Sequence, residues 1–466
     1  MVALLRSTNT GEVVPDTIVA VATPSGEGGI AVIRLSGPDS ISIADRLFHG
    51  RRSLSDASSH TLSHGHLAFP DTDGITDEVL VAVMRAPKSY TCEDVVEINC
   101  HGGLRLAQEV VDACRAMGAR RAERGEFTER AFLNGRLDLA QAEAVLEMVQ
   151  ARTGAGLSAA CYQLTGGLSR RLAAVSGGIT GALTRIEAGL EFPEEDVGVG
   201  DPRAEMEHAR HALDEVNSLR ATYERGRLIS RGATVAITGP PNVGKSSLLN
   251  AILGHERAIV SPVPGTTRDI IEAEIDLDGL RVRLIDTAGL RATGDDVERE
   301  GTRRAERAAQ EADVRVLVLD ASGRIPSPDV LPPLEKGIIV MNKIDIGDEA
   351  VVSDVSGGVD ATPICRTSAL KDEGVDELCG IVRDVLLRDT AATSGDGVIL
   401  SDRHAAALDE CAESLQRVIS EIEGQAREEL VASDLRHTLD AIGRITGETT
   451  SEDILRGIFA DFCIGK

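Results

Sequence analysis

The sequence has no tryptophan and few other aromatic residues. Among 466 residues there are 7 Phe and 3 Tyr, so hydrophobic cores must be built from Leu, Ile, Val and Ala. The 8 cysteines show no C-x-x-C pair and no zinc spacing, which predicts reduced thiols in a cytoplasmic protein. No apolar run approaches membrane-spanning length, and residues 1–17 lack a signal-peptide pattern. We therefore expect a soluble protein.

Basic residues are also scarce. The chain has 49 Lys and Arg against 75 Asp and Glu, a formal net charge of -26. This balance argues against binding nucleic acid through the whole surface. Any RNA contact would then use a local basic patch or the surface of a partner. The length is enough for roughly three domains of ordinary size.

What the sequence does contain is a phosphate-binding loop. Residues 239–247 (GPPNVGKSS) fit G-x-x-x-x-G-K-[ST], between a strand-like run at 233–238 and a helical pattern from Leu248. In that context backbone N–H groups and a helix N-terminus surround phosphates, Lys245 reaches the outer phosphates and Ser246 ligates Mg²⁺. Taken alone, the pattern also fits a glycine-rich turn that opens a helix.

Further motifs follow in the order typical of GTPases. Residues 265–269 (GTTRD) and 286–289 (DTAG) match the two switch segments, whereas 342–345 (NKID) and 368–369 (SA) match a guanine pocket. Asp345 would accept hydrogen bonds from the two donors on the guanine edge, which adenine lacks. Together the motifs predict a GTPase. The predicted contacts with GTP and Mg²⁺ are Asn242, Gly244, Lys245, Ser246, Ser247, Thr266, Thr267, Asp286, Gly289, Asn342, Lys343, Asp345, Ser368 and Ala369, with Ser246 and Thr267 on the metal.

The N-terminal part has the pattern of an α+β domain. Apolar strand-like runs occupy residues 17–23, 30–35, 79–84 and 95–99. Charged residues stand inside two of them, Arg34 in the second and Glu97 in the last. A charge in an apolar strand is costly to bury unless it is paired or faces a ligand. The alternative is that both side chains point to solvent on a half-exposed sheet.

Helical periodicity flanks the nucleotide-binding segment. Apolar residues at steps of three and four predict one long helix over 164–190 that stops near Pro193, and further helices over 206–219, 408–422 and 431–442. The economical architecture is an α/β P-loop GTPase domain inserted into an all-helical domain; two separate helical domains are the alternative. The expected domains are an N-terminal α+β domain (1–122), a first helical part (123–228), a Ras-like GTPase domain (229–390) and a second helical part (391–466).

The C-terminal segment carries an apolar helical stripe. Its members are Ile454, Leu455, Ile458, Phe459 and Phe462, with residues 450–453 as a capping box. We expect this helix to be docked on the protein. Cys463 is either a nucleophile or a small packed residue. We favour packing, or a position near a ligand, over a nucleophilic role.

Four longer segments resemble the MnmE (TrmE) tRNA-modification GTPase family. They are residues 16–37 (DTIVAVATPSGEGGIAVIRLSG), 89–103 (SYTCEDVVEINCHGG), 125–145 (GEFTERAFLNGRLDLAQAEAV) and 452–466 (EDILRGIFADFCIGK). The resemblance covers nearly the whole chain. These segments are far more specific than the GTPase motifs.

The resemblance implies a catalytic group and a potassium site in the GTPase domain. Leu290 stands where Ras-type enzymes place the glutamine that orients water, and Glu298 falls on the catalytic glutamate of the family. An ordinary solvated glutamate is the plainer interpretation of Glu298 without the resemblance. Pro262 and Pro264 depart from the family's commonest potassium loop. The implied potassium ligands are Asn242, Ser261, Val263 and Thr266.

The resemblance also implies a folate site and partners. The residues that fall on the family's contacts with 5,10-methylene- or 5-formyl-tetrahydrofolate are Arg34, Glu97, Arg136 and Lys466. The implied assembly is a homodimer through the N-terminal domain, joined by an FAD-dependent MnmG (GidA)-type partner in a heterotetramer or larger complex. Together they would add an aminomethyl-type or carboxymethylaminomethyl group to C5 of the wobble uridine of certain tRNAs. Glycine or ammonium would supply the nitrogen, and Cys463 is a candidate for a role in this chemistry.

Two other functions share the nucleotide motifs. A ribosome-assembly GTPase, acting as a switched RNA-binding module, would carry an RNA-binding domain and a basic surface, and would leave the N-terminal and FCIGK segments unexplained. A signalling switch is the other alternative. Low nucleotide affinity with fast unaided hydrolysis would argue against it.

Overall fold

The chain divides into two compact units. The computed structural model describes residues 16–69, 76–191, 202–254, 272–286, 310–323, 337–347, 362–388 and 400–466. The first unit takes in residues 1–146, 163–176 and 439–466, and the second takes in residues 147–162 and 177–438. Among the helices of the described ranges, none is long and apolar enough to cross a membrane.

The first unit is built on a mainly antiparallel sheet. Its strands are β1 (Ile18–Val21), β2 (Ile30–Ser36), β3 (Phe48–Gly50), β4 (Thr61–Ala68), β5 (Thr76–Met84), β6 (Val95–His101) and β7 (Arg120–Arg121), and its first helices are α1 (Ser40–Leu47), α2 (Leu104–Ala116) and α3 (Glu126–Leu133). The strand order is β3-β4-β5-β6-β2-β1-β7, and β1 and β7 form its parallel pair. The strands predicted from the apolar runs are confirmed.

Alternating burial explains how this sheet forms a core. In β2 the side chains of Ile33 and Leu35 are fully buried, whereas Val32 and Arg34 between them are partly exposed. The buried side chains of the strands pack against apolar residues of α1 and α2 such as Leu47. One face of the sheet is therefore covered by helices, and the opposite face carries Arg34.

A network of charged side chains fastens α3 to the segment before β1. Arg130 contacts Asp16 at 2.6 Å, Glu126 at 3.0 Å and Glu93 at 3.1 Å. Arg120 contacts Asp16 and Glu126 from the other side. Burial raises the pKa of Glu126, but hydrogen bonds led by that from Arg120, together with the charges of both arginines, hold it below its ordinary value. The pKa of Asp16 is lowered as well, so the carboxylates of Asp16 and Glu126 are ionised at neutral pH.

Arg130→Met should destabilise the first unit by about 3 kcal/mol, because removing one member of a buried ion pair leaves its carboxylate partners unpaired. Hydrogen exchange of amides in α3, followed by mass spectrometry, measures this change. Arg51→Met is the matched control: Arg51 is exposed, so its loss should change stability by less than about 0.5 kcal/mol.

The stability lost in Arg130→Met should depend on pH. The folded pKa values of Asp16 and Glu126 lie below their ordinary values. The ionic stabilisation is therefore present at neutral pH and is lost as the pH falls below about 4. In calorimetric unfolding, the difference between wild type and Arg130→Met should shrink in acid. A difference that stays constant down to about pH 3 would contradict this account.

The second unit contains a mainly parallel sheet. Its strands are β8 (Ala233–Thr238), β9 (Glu272–Leu277), β10 (Leu280–Asp286), β11 (Val314–Asp320), β12 (Gly337–Asn342) and β13 (Ile364–Arg366). The order is β13-β12-β11-β8-β10-β9, and β9 joins β10 in an antiparallel hairpin about Asp278 and Gly279. Helices α9 (Lys245–Gly254) and α10 (Val375–Leu387) pack on one face. A parallel sheet with crossover helices is an α/β fold.

The remaining described helices lie before and after this sheet segment in the sequence. They are α4 (Leu139–Gln150), α5 (Gly154–Leu164), α6 (Gly167–Glu191), α7 (Pro202–Arg220), α8 (Tyr223–Arg231), α11 (Asp402–Glu423), α12 (Glu428–Thr446) and α13 (Glu452–Ala460). In the second unit α7 packs along α11, with ion pairs between Arg220 and Asp409 and between Arg210 and Glu423. Helices from before and after the sheet segment are thus in contact.

The prediction of one helix over 164–190 is wrong at its start. Leu164 ends α5, and α6 begins at Gly167. Gly166 between them has a φ of +78°, a left-handed conformation that interrupts a helix and that glycine adopts without strain. The apolar spacing does not reveal the break, because Leu164 and Leu168 remain four positions apart across it.

The C-terminal helix is docked as expected. Leu455, Phe459 and Phe462 are buried against Leu139 and Ala142 within the first unit. The predicted capping box at 450–453 is wrong: α13 begins after Ser451, whose side chain makes no capping hydrogen bond. The box would require Thr450 as the capping residue, one position earlier.

Candidate functional site

The loop between β8 and α9 fits its surroundings only because it contains glycine. Gly239 has a φ of +141° and Gly244 a φ of +95°. A Cβ atom on Gly239 would lie 2.2 Å from the carbonyl oxygen of Val318, and one on Gly244 would lie 2.4 Å from Nδ2 of Asn342. The glycine spacing is therefore required by packing as well as by a phosphate-binding role.

Two side chains at the start of α9 are held in defined positions. Lys245 is 7% exposed, and its Nζ donates hydrogen bonds to the carbonyl oxygens of Gly239 at 2.9 Å and Pro240 at 2.7 Å. Ser246 Oγ donates to Oδ2 of Asp286 at 2.8 Å. Asp286 ends β10 and is fully buried. An ammonium group thus lies inside the loop, and a hydroxyl lies beside a carboxylate at its edge.

Asn342 joins the phosphate loop to the segment after β13. Its side chain is buried, its Nδ2 donates to the carbonyl oxygen of Val243 at 2.9 Å, and its Oδ1 accepts from the backbone N–H of Ala369 at 3.1 Å. Thr367 Oγ1 lies 3.3 Å from the same Oδ1. One amide therefore fixes the relative positions of these two loops.

The other residues of the predicted guanine pocket lie at the same edge. Ser368 Oγ donates to Oδ1 of Asp345 at 2.8 Å, which orients the carboxylate. Lys343 Nζ donates to the carbonyl oxygen of Asn242 in the phosphate loop at 2.7 Å. The carboxyl ends of parallel strands meet at one edge of a sheet, and there a ligand is expected in this type of fold.

A second group of predicted residues comes together in the first unit. Arg34 and Glu97 are directly opposite each other on β2 and β6, and Arg34 Nε donates to Oε1 of Glu97 at 2.8 Å. Their side chains are 16% and 27% exposed. The two charges found in the apolar strands therefore pair with each other at a partly open position, so neither simply points to solvent.

Two aromatic rings lie beside Arg34. The guanidinium of Arg34 lies 5.3 Å from the ring centre of Tyr90 and 5.6 Å from that of Phe127. The guanidinium of Arg136 lies 4.9 Å from the Tyr90 ring, and its Nη1 donates to the Tyr90 carbonyl oxygen at 3.0 Å. Arg34 and Arg136, distant in sequence, thus contact the same ring.

The C-terminus of the chain reaches this group. Arg34 Nη1 donates to the carbonyl oxygen of Gly465 at 3.4 Å, and the backbone N–H of Phe127 donates to the carbonyl oxygen of Lys466 at 3.2 Å. Gly465 has a φ of +94°, and a Cβ there would lie 2.2 Å from the Val21 carbonyl oxygen. The close approach of the tail therefore depends on glycine at this position.

Comparison with known proteins gives matches along nearly the whole chain. Residues 17–136 match the family model described as GTP-binding protein TrmE N-terminus, and residues 139–463 match that of the MnmE helical domain. The tRNA modification GTPase MnmE of Moorella thermoacetica is 48% identical over 461 residues, covering 97% of this chain and 99% of that protein. The chain belongs to the MnmE family. The MnmE of Natranaerobius thermophilus is 40% identical over 455 residues, with the same coverage of both chains.

A solved structure adds a weaker likeness. The G domain of the T. maritima FeoB iron transporter is 28% identical, covers 34% of this chain and 98% of its own, and has a TM-score of 0.24. That score supports no argument about this MnmE-family chain.

Part of the predicted site lies outside the described residues. The predicted site residues outside the described ranges are Ser261, Val263, Thr266, Thr267, Gly289 and Glu298. Cys463 is an exposed free cysteine, so its interpretation as a small packed residue is wrong. Among the other described residues, Ser247 and Asn242 are exposed beside Lys245. Their roles stay predictions.

Sequence reasoning missed Tyr90, Phe127 and Asp320. Tyr90 was inside the segment 89–103 that carried the family resemblance, and only 3 tyrosines occur in the chain. Asp320 ends β11, as Asp286 ends β10. A carboxylate at the end of a neighbouring parallel strand was the signal that could have found it.

Proposed function

We propose that this chain hydrolyses GTP and that the hydrolysis serves tRNA modification. The observation that carries the GTP part is the buried Asn342 amide, which bonds both the phosphate loop and Ala369 beside the predicted base pocket. Membership of the MnmE family supports the tRNA part, because the relatives are named tRNA modification GTPases.

The proposed roles at the nucleotide follow from the chemistry of each group. Lys245 holds the outer phosphates, and the backbone of Gly244 turns toward them. Ser246 and Thr267 would hold Mg²⁺, with Asp286 behind the water shell; hydroxyl and carboxylate oxygens suit this ion. When bound, Mg²⁺ neutralises charge on the phosphates. Further proposed GTP contacts come from Asn242, Ser247, Thr266, Thr267, Gly289, Asn342, Lys343, Asp345, Ser368 and Ala369.

We assign the orientation of the attacking water to Glu298 and potassium binding to Asn242, Ser261, Val263 and Thr266. The family resemblance supports these roles. Asn242 has a φ of +65°, a conformation that asparagine tolerates better than most residues. A potassium ion beside the phosphates would neutralise developing charge as an arginine finger does.

Asn242→Gly should abolish the preference of GTP hydrolysis for potassium over sodium. Glycine is chosen because it keeps the left-handed backbone without strain while removing the side-chain amide and its oxygen. Asn242→Asp, which keeps an oxygen, should retain the preference. We expect wild type to be faster in potassium by about tenfold or more, measured as phosphate release in matched salts. Equal wild-type rates in the two salts would refute the potassium proposal.

We propose a tetrahydrofolate site at Arg34, Glu97, Arg136 and Lys466. Two guanidinium groups around Tyr90, with a carboxylate beside one of them, suit a flat heteroaromatic ligand that carries both hydrogen-bond donors and acidic groups. The chain terminus lies against the same group of residues through Gly465. The ligand class itself comes from the family resemblance.

Arg34→Ala should weaken binding of 5-formyl-tetrahydrofolate by about 10- to 100-fold, the cost of a lost hydrogen bond to a charged group. Isothermal calorimetry measures the affinity. Arg105→Ala is the control, because Arg105 is an arginine of the same unit with a side chain that is 88% exposed. Unchanged affinity in a folded Arg34→Ala protein would defeat the assignment.

We propose that the one-carbon unit of methylene-tetrahydrofolate becomes the C5 substituent of the wobble uridine. An FAD-dependent MnmG (GidA)-type partner would share this step, with glycine or ammonium as nitrogen donor, and GTP hydrolysis would drive a conformational cycle. We also propose a homodimer through the N-terminal domain. The contact of α7 with α11 supports insertion of the GTPase domain into the helical one.

Reconstitution tests this function. Purified chain, the flavoprotein partner, unmodified tRNA, GTP, glycine or ammonium, and ¹³C-methylene-tetrahydrofolate should give a uridine labelled in its C5 substituent, detected by mass spectrometry of nucleosides. Wild-type protein without GTP should give none. If the labelled product formed in equal amount without GTP, the carbon chemistry would not depend on the nucleotide site.

A further inference from the structure

The carboxylate of Asp320 is held on both of its oxygens. Asp320 ends β11, next to Asn342 at the end of β12. Its Oδ2 accepts a hydrogen bond from Lys343 Nζ at 2.5 Å. Its Oδ1 accepts from the backbone N–H of Ser322 at 2.9 Å and from Ser322 Oγ at 2.6 Å. Burial raises the pKa of Asp320, but the bonds from Lys343 and Ser322 hold it below its ordinary value.

Lys343 connects this carboxylate to the phosphate loop. Its Nζ donates to Asp320 and also to the carbonyl oxygen of Asn242, at 2.7 Å. Both Lys343 and Asn242 have left-handed backbones, with φ of +64° and +65°. A lysine side chain without such partners samples many rotamers. The two oxygen acceptors therefore define where its ammonium lies.

We propose that Asp320 is a positioning residue of the nucleotide site, holding the Lys343 ammonium against the Asn242 carbonyl. This inference rests on the proposed function. With Asp320 present, Lys343 supports the guanine pocket and at the same time fixes Asn242, the left-handed residue of the phosphate loop. Without it, the neutral Asn242 carbonyl is the acceptor that Lys343 keeps among the described residues, and Asn242 is less firmly fixed. Both GTP affinity and potassium activation then depend on a residue that touches neither ligand.

A purely structural role for Asp320 predicts something different. If Asp320 were purely structural, Asp320→Ala would lower the stability of the sheet edge without changing nucleotide or potassium binding. Asp313 is the matched control for this alternative. It lies directly before β11, at the end opposite to Asp320, and its side chain is 25% exposed against 24% for Asp320. Like Asp320, it bonds a backbone N–H, that of Thr234, and a basic side chain, that of Arg227.

The test compares Asp320→Ala, Asp320→Asn and Asp313→Ala in the full chain. Affinity for GTP is measured with a fluorescent analogue, and hydrolysis is titrated with potassium. Asp320→Ala should weaken GTP binding about tenfold and raise the potassium concentration for half-maximal activity several-fold. Asp320→Asn keeps an acceptor for Lys343 and should fall between Asp320→Ala and wild type. Asp313→Ala should match wild type in both readouts.

Each outcome decides the inference. Wild-type affinity and potassium titration in a folded Asp320→Ala protein would overturn it, as would equal changes in Asp313→Ala. If wild type fails to bind GTP, the proposed function itself fails. If wild type binds GTP without a potassium preference, the affinities alone decide the role of Asp320.

Discussion

Lys245→Ala should lower GTP hydrolysis by about 100-fold or more and weaken nucleotide binding, since a buried cation aimed at developing phosphate charge contributes on the scale of an oxyanion-hole donor. Lys245 is nearly buried and lies within hydrogen-bonding distance of the loop carbonyls of Gly239 and Pro240. Lys245 is the side-chain cation that we propose for the phosphates, and the variant lacks it. Phosphate release and binding of a fluorescent GTP analogue measure the two effects.

Two variants sharpen this prediction. Arg388→Ala removes the same charge from the exposed end of α10 and should leave both readouts unchanged. Glu298→Ala should keep GTP affinity and lower turnover, because the proposed role of Glu298 is confined to the water. Hydrolysis at the wild-type rate by Lys245→Ala would contradict the assignment of residues 239–247 as the phosphate site.

Asp345→Asn should weaken GTP binding by about 100-fold, because the amide keeps only one acceptor oxygen for the two donors on the guanine edge and carries no charge, and a hydrogen bond to a charged group is worth about 1.5–3 kcal/mol. The same variant should gain affinity for xanthosine triphosphate, which presents a carbonyl oxygen where guanine presents an amino group. Ser368 Oγ donates a hydrogen bond to Asp345 Oδ1 at 2.8 Å. It can also bond the side-chain amide of the variant, so the fold should be kept.

Competition binding of the two nucleotides measures this exchange of specificity. Asp384→Asn is the control: its carboxylate lies on the exposed side of α10, where it pairs with Arg383, and should not affect the choice of base. An Asp345→Asn protein that still prefers GTP by the wild-type margin would show that the base is recognised elsewhere.

The sequence predicted those features whose cause is local. The glycines at 239 and 244 and the apolar run over β8 are close in sequence, and the structure adds that a Cβ at either glycine would collide with a neighbouring strand. The strands of the first unit followed from runs of β-branched residues. The MnmE family resemblance also came from contiguous segments, and the comparisons confirm it.

Features that depend on register or tertiary contact could not be predicted. Arg34 and Glu97 are 63 residues apart, and only the pairing of β2 with β6 makes them partners. The bond of Lys343 to Asp320 likewise needs β11 and β12 to end at the same edge. Gly166 breaks the long helix through a backbone angle that periodicity does not encode. The predicted domain boundaries and individual site roles stay predictions.

The most direct test of the central claim is nucleoside mass spectrometry of bulk tRNA from cells that lack this protein. We expect the C5-modified wobble uridine to be missing, and to return with wild type but not with Lys245→Ala. That result would tie the tRNA modification to the nucleotide site. An unchanged tRNA profile in the deletion strain would contradict the account and favour a ribosome-assembly role for the GTPase.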